Sequence, residues 1–154
     1  MQFSGDILIL IPARYHSSRF PGKPLALING KSMVERVWNI AQSARNASSM
    51  PEKIDILVAT EDERIIEHCE SLNITAILTS DECKSGTERA YKAVEALNHP
   101  AKLIINLQGD NALCPPWFIT ALIEESQKLT TPSVITPMVQ LRWNGVQSIK
   151  DINI

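Results

Sequence analysis

The stretch ILILIPARYHSSRFPGKPL, residues 7–25, opens with five consecutive aliphatic side chains and changes character at Pro12. An apolar run without polar alternation reads as a strand buried on both faces, which a helix-covered parallel sheet requires. No helix follows at once. Residues 13–30 are the least regular part of the chain and long for a strand-to-helix connection. Such loops in compact domains are usually functional or disordered. This loop leaves the carboxyl end of the first strand, the edge at which open α/β sheets bind ligands.

Working outward, the strand signal recurs at residues 54–60 (IDILVAT), 74–79 (ITAILT), 103–107 (LIINL) and 133–139 (SVITPMV). Pro137 demotes the end of the last run to an edge or a bulge. Helical periodicity fills the gaps. Residues 32–44 place Met33, Val37, Ile40, Ala41 and Ala44 near one face, and residues 61–72 carry Ile65, Ile66, Cys69 and Leu72. Residues 86–97 carry Ala90, Ala93, Val94 and Leu97. Residues 115–129 open with proline at a first-turn position and carry Phe118, Ile119, Leu122 and Ile123. Strands alternating with helices predict right-handed βαβ units in a three-layer α/β/α sandwich with a mainly parallel sheet.

The composition agrees. A chain of 154 residues makes one domain at roughly 100–200 residues each. Hydrophobic residues at 44% and charged residues at 21% are those of a globular domain, which excludes disordered and low-complexity classes. A net charge of −2 and 5% aromatics offer neither a basic field nor a base-stacking platform, so a nucleic-acid partner is not expected. Cys69, Cys83 and Cys114 are odd in number and contain no C-x-x-C pair, so they read as reduced, packing cysteines in a cytoplasmic protein. No signal peptide or membrane-spanning run is visible, and no membrane partner is expected. Trp143 to Val146 read as a turn after the last strand, with no closing helix before Ile154. A sheet edge left bare there would favour association, as in a homodimer.

Three segments could carry chemistry. In the loop after the first strand, Arg14, Arg19 and Lys23 bring three cations together among the small residues Ala13, Ser17, Ser18 and Gly22, while Pro21 and Pro24 stiffen the end. This suits a polyphosphate, to which arginine offers forked contacts and lysine a point charge; a solvated basic loop has the same composition. No G-x-G-x-x-G follows the strand. Gly30-Lys31-Ser32 ends like a P-loop, but Leu25 stands where the first glycine should be, so Asn29-Gly30 reads as a turn before a helix. The second segment is Gln108-Gly109-Asp110, after the fourth strand. With strand order 3-2-1-4-5, Asp110 faces the basic loop, where a carboxylate can hold magnesium against phosphates; a turn or capping aspartate is the simpler alternative. The third, Ser85-Gly86-Thr87-Glu88-Arg89, is a capping box with Ser85 as N-cap and Glu88 three residues on, and its free N–H groups could also meet an anion or a base edge. His16 lies in the basic loop, whereas His68 and His99 read as structural or solvated. Cys114 reads as a packed thiol, and no Ser/His/Asp spacing suggests a nucleophile.

Together these segments resemble the cytidylyltransferases that activate 3-deoxy-D-manno-octulosonate (KDO), the CMP-KDO synthetase family. Its opening I-P-A-R-x-x-S-x-R-x-P-G-K-P-L matches residues 11–25, its S-G-T-E-R matches residues 85–89, and its Q-G-D matches residues 108–110. The likeness extends across essentially the whole chain. It implies a Rossmann-like fold of the nucleotide-diphospho-sugar transferase type, and the reaction of CTP with KDO to give CMP-KDO and pyrophosphate for lipopolysaccharide synthesis. It further implies that Arg14 and Lys23 bind the triphosphate with Arg19 assisting and Ala13 alongside. Ser85, Gly86 and Thr87 would hold the nucleotide, Gln108 would lie near the cytosine, and Asp110 would bind Mg²⁺. Arg14, Lys23 and Asp110 are the implied catalytic set. The family's chains are longer. Residues 1–154 are therefore expected to be a single nucleotide-binding domain, with most sugar contacts, a second metal carboxylate and much of the dimer interface outside it. Three positions depart from the pattern: Asn111 replaces an acidic residue, Ala112 a proline, and Glu61 the aspartate of A-T-D. Another sugar nucleotidyltransferase, or a non-catalytic nucleotide-binding domain, is the alternative expectation.

Overall fold

The computed structural model describes residues 3–16, 20–131 and 133–137. The elements run β1 (Ile7–Pro12), β2 (Leu27–Ile28), β3 (Lys31–Ser32), α1 (Met33–Ala47), β4 (Ile54–Thr60), α2 (Glu63–Ser71), β5 (Ala76–Leu78), α3 (Gly86–Leu97), β6 (Leu103–Asn106) and α4 (Pro116–Ser126). The main sheet has the order β5-β4-β1-β6, and all its pairs are parallel. This matches the expected 3-2-1-4 arrangement. The fifth predicted strand does not form over residues 133–137, and 138–139 lie outside the described residues, as does the predicted turn at Trp143–Val146.

Every residue of β1 is buried, as its unbroken apolar run demands. Ile7, Ile9 and Ile11 enter one core with side chains of α1, α2 and α4. Leu8 and Leu10 enter a second core with Leu57 and Ala59, and with Ala90 and Ala93 of α3. A helix layer on each face completes the three-layer sandwich.

The bounds of α1, α2 and α4 differ from expectation by one to three residues, whereas α3 matches, and some faces differ too. In α1 the buried set is Val34, Val37, Trp38, Ala41 and Ala44, while Met33 and Ile40 are only partly buried. In α2 only Ile65 and Cys69 are buried, and Leu72, just past its end, is exposed. Asn29 and Gly30 both have positive φ and form the two-residue turn of the β2–β3 hairpin. Gly30-Lys31-Ser32 therefore belongs to a turn and a strand, and Ser32 then caps α1 by accepting from the Glu35 N–H at 3.2 Å.

Candidate functional site

The strand order places a site before any side chain is considered. β1 has β4 on one side and β6 on the other, so the connections leaving its carboxyl end diverge. The crevice between β1 and β6 is a topological switch point, where open α/β sheets bind ligands. Close backbone approach there depends on glycine: a Cβ on Gly109 would stand 2.5 Å from the Pro12 carbonyl oxygen. A Cβ on Gly86, at the first position of α3, would lie 3.0 Å from Gln108 Oε1 and 3.2 Å from Pro12. Three segments far apart in sequence thus converge on a cleft of about 290 Å³.

The cleft is lined by Ala13, Arg14, Lys23, Gly86, Gln108 and Asp110, together with Pro12, Pro24 and Gly109. Lys23 Nζ donates to Asp110 Oδ2 at 2.8 Å, and both side chains remain partly exposed. Lys23 begins a short 3₁₀ turn after Gly22, whose φ of 72° is left-handed. The Arg14 guanidinium donates to the Cys83 carbonyl, tying the β1 loop to the segment before α3. The Ala13 N–H is committed to Ala59 O at 2.9 Å, and its side chain is buried.

Ser85 and Thr87 act one layer back. Ser85 caps α3 by accepting from the Glu88 N–H at 3.0 Å. The Glu88 carboxylate reaches the Lys84 N–H at 2.7 Å, one residue earlier than in the expected capping box. Thr87 Oγ1 accepts from Asn106 Nδ2 at 3.2 Å, joining α3 to the end of β6. Arg19, Ser17 and Ser18 lie outside the described residues. His16 contributes its backbone N–H to Glu61 rather than a side chain to the cleft. His68 Nε2 sits 2.7 Å from the capping hydroxyl of Ser32, and His99 is buried with Nε2 3.2 Å from Asp55; both are structural. Burial raises the Cys114 thiol above its ordinary pKa, which disfavours the thiolate.

Sequence reasoning missed two features. Tyr15 packs its ring 3.4 Å from the Arg64 guanidinium, beside Gly22. Glu61 is almost fully enclosed and paired with Arg89. For the second, the sequence shows only that Glu61 departs from the family pattern, which points to no partner. A groove of about 340 Å³ near Lys31, Arg36 and Pro116 is larger than the cleft. It lies away from the switch point, and its cations are engaged: Lys31 with Glu35 at 3.1 Å, Arg36 with the carbonyls of Ile28 and Asn29.

The family model described as Cytidylyltransferase matches residues 8–147. The chain is 43% identical over 137 residues to the 3-deoxy-manno-octulosonate cytidylyltransferase of Maricaulis maris, a match covering 86% of this chain and 51% of that one. The Arabidopsis thaliana mitochondrial enzyme of the same name is 39% identical, with 87% and 43% covered. An 8-amino-3,8-dideoxy-manno-octulosonate cytidylyltransferase of Shewanella is 44% identical, with 77% and 46% covered. The chain therefore spans about half the length of the curated relatives it matches. Among solved structures, a CMP:2-keto-3-deoxy-manno-octonic acid synthetase complexed with CTP superposes with a TM-score of 0.69 at 32% identity, covering 81% of this chain and 48% of that one.

Proposed function

Because the chain belongs to the cytidylyltransferase family, we propose that it forms the nucleotide-binding part of an enzyme that transfers CMP from CTP to 3-deoxy-D-manno-octulosonate, releasing pyrophosphate for lipopolysaccharide synthesis. One observation carries this reading: Lys23 and Asp110 face each other at 2.8 Å across the crevice between β1 and β6. A cation for phosphates and a carboxylate for their counter-ion meet at the fold's ligand-binding edge. The solved relative complexed with CTP supports the choice of nucleotide.

In this reading Arg14 and Lys23 hold the triphosphate, with Arg19 assisting and Ala13 alongside. Ser85, Gly86 and Thr87 form the helix start against the nucleotide, and Gln108 approaches the cytosine. The sugar's anomeric hydroxyl attacks the α-phosphorus in line, and the bond to the β-phosphate oxygen breaks. The hydroxyl proton leaves to solvent. Charge grows on the departing pyrophosphate, and fixed cations aimed at those oxygens lower the barrier. No protein nucleophile is required.

The residues present fit magnesium. No group of three or more His, Cys, Asp or Glu converges among the described residues, but magnesium is commonly bound through one or two carboxylates plus substrate phosphates and water. The partly exposed carboxylate of Asp110 provides the protein's share. When bound, the ion would neutralise phosphate charge and orient the leaving group. Residues 1–154 are read as one nucleotide-binding domain, with most sugar contacts and the dimer contacts supplied outside it. No helix among the described residues is long and apolar enough to cross a membrane. The three free cysteines suit a cytoplasmic enzyme.

Calorimetric titration with CTP, ATP, GTP and UTP, each with Mg²⁺, tests the nucleotide assignment. CTP should bind in preference to the others; a folded chain that binds none of them overturns it. Pyrophosphate release from CTP is then measured with KDO and with its 8-amino analogue, since relatives of both names stand at similar identity. Release with neither sugar, alongside selective CTP binding, would leave a nucleotide-binding domain without transfer activity of its own.

A further inference from the structure

Glu61 directly follows β4, and its side chain is only 5% exposed. Oε1 accepts from two successive backbone amides, Tyr15 N–H at 2.9 Å and His16 N–H at 3.3 Å. Successive N–H groups converging on one point make an anion-binding nest, and here a carboxylate of the protein fills it. Oε2 lies 3.1 Å from the guanidinium of Arg89, whose side chain is 1% exposed. Arg89 also donates to Thr79 Oγ1 at 2.5 Å and Ser80 O at 3.2 Å. Buried charges are costly unless paired and hydrogen-bonded. Here the charges are paired with each other and hydrogen-bonded through Oε1 and Arg89 Nη1, while among the described residues Oε2 accepts no hydrogen bond and Arg89 Nε donates none. The pair joins the end of β4, the start of the β1 loop and the first turn of α3.

The loop has a neck at the same place. Gly22 N–H donates to Tyr15 O at 2.8 Å, closing the loop on itself seven residues after Tyr15. Glu61 holds the backbone of that neck while Arg64 packs on the Tyr15 ring. Arg14 precedes the neck and Lys23 follows it, so the two cleft cations flank it on either side.

We propose that Glu61 is a positioning residue: its carboxylate fixes the neck of the loop carrying Arg14 and Lys23 and, through Arg89, locks that loop to the start of α3. Glu61 and Arg89 do not line the cleft. The functional part of the proposal rests on the nucleotide reading given above; the clamp itself does not.

The test combines amide hydrogen exchange with CTP titration on wild type, Glu61→Ala and Glu61→Gln. In Glu61→Ala, exchange at Tyr15 and His16 should accelerate by about tenfold or more relative to Ile9 and Val58 in the sheet, as expected for losing charge-assisted bonds. CTP affinity should fall about tenfold with it, because loosened cations are no longer held in place for the phosphates. Glu61→Gln keeps an amide acceptor and should fall between the two on both readouts. If Glu61→Ala does not fold, the Glu61→Gln values decide by the same criteria. Unchanged exchange at Tyr15 and His16 relative to the sheet overturns the clamp. Faster local exchange with wild-type CTP affinity overturns the positioning role. A wild-type chain that binds no CTP overturns the nucleotide reading alone, and exchange then still decides the clamp.

Discussion

Lys23 and Asp110 are 87 residues apart in sequence and 2.8 Å apart in space. Both side chains are more than one-third exposed, so their mutual attraction contributes only about 0–1 kcal/mol to stability. Their removal should therefore be visible in binding rather than in folding. Lys23→Ala is expected to weaken CTP binding about tenfold at low salt, with the difference shrinking as salt screens the charge. Equal affinity in the two proteins would remove Lys23 from the phosphate site. Asp110→Asn should abolish the gain in CTP affinity on adding Mg²⁺ and leave the melting temperature nearly unchanged; a retained magnesium effect excludes Asp110 as a ligand. A third residue-scale expectation concerns Cys69, whose thiol burial pushes up to about 12. At pH 8 the native protein should resist iodoacetamide at Cys69, and rapid labelling there would contradict its burial. At this scale the sequence showed residue types but not partners. Lys23 and Asp110 could be singled out because charged groups in the loops that follow buried strands are conspicuous. The Glu61–Arg89 pair was not legible, since one carboxylate gives no sign of which distant guanidinium encloses it.

At the scale of elements, the most legible parts were those with one dominant signal. β4 and α3 fall on their expected bounds, 54–60 and 86–97. The first is an apolar run, and the second has a capping serine and a left-handed Asn98 at its end. The β2–β3 hairpin was not foreseen, because strands of two residues are too short to show alternation; only its Asn29-Gly30 turn was readable. The rotation of the α1 face toward Val34 and Trp38 reflects the sheet's choice between adjacent apolar residues, which periodicity alone leaves undecided. The α2 start yields a pH prediction. Asp62 caps α2, accepting from Arg64 N–H at 3.0 Å and pairing with the Arg64 guanidinium at 2.6 Å. The side-chain bond to Arg64 chiefly holds its carboxyl below the ordinary aspartate pKa. A depressed folded-state pKa contributes stability that is present above the unfolded value and lost as pH falls through the folded one. The contribution should therefore be intact at pH 6 and fade below about pH 4. Asp62→Ala should cost about 1 kcal/mol at pH 6 and less at pH 3, with Asp62→Asn milder because asparagine also caps. Denaturant melts at the two pH values check this, and an equal cost at both removes the ionic contribution.

For the whole molecule, the parallel order β5-β4-β1-β6 brings the β1 loop, the start of α3 and the β6 loop to one edge. That convergence was legible in outline, because alternating strands and helices with right-handed crossovers leave few orders open. How much of the activity resides in 154 residues was not legible, and relatives of which the match covers only about half give the question its weight. The geometry supplies an answer that can be measured. The described cleft contacts come from three segments of this chain, so nucleotide binding should stabilise it without sugar or partner. A ligand that binds only the folded state at 100 times its dissociation constant adds about 2.7 kcal/mol. At roughly 2–4 °C per kcal/mol for a domain of this size, the melting temperature should rise by roughly 5–11 °C. CTP with Mg²⁺ should produce that rise. ATP at the same concentration should produce less, and Lys23→Ala should shift the curve to higher CTP. Adding KDO without CTP should change little, because in the proposed reading the described cleft takes the phosphates and most sugar contacts lie outside residues 1–154. A melting temperature indifferent to CTP in a cooperatively folded sample would mean that the cleft needs residues from elsewhere before it can hold a nucleotide. A shift with KDO alone would mean that sugar contacts lie within these 154 residues, against the division of labour proposed above.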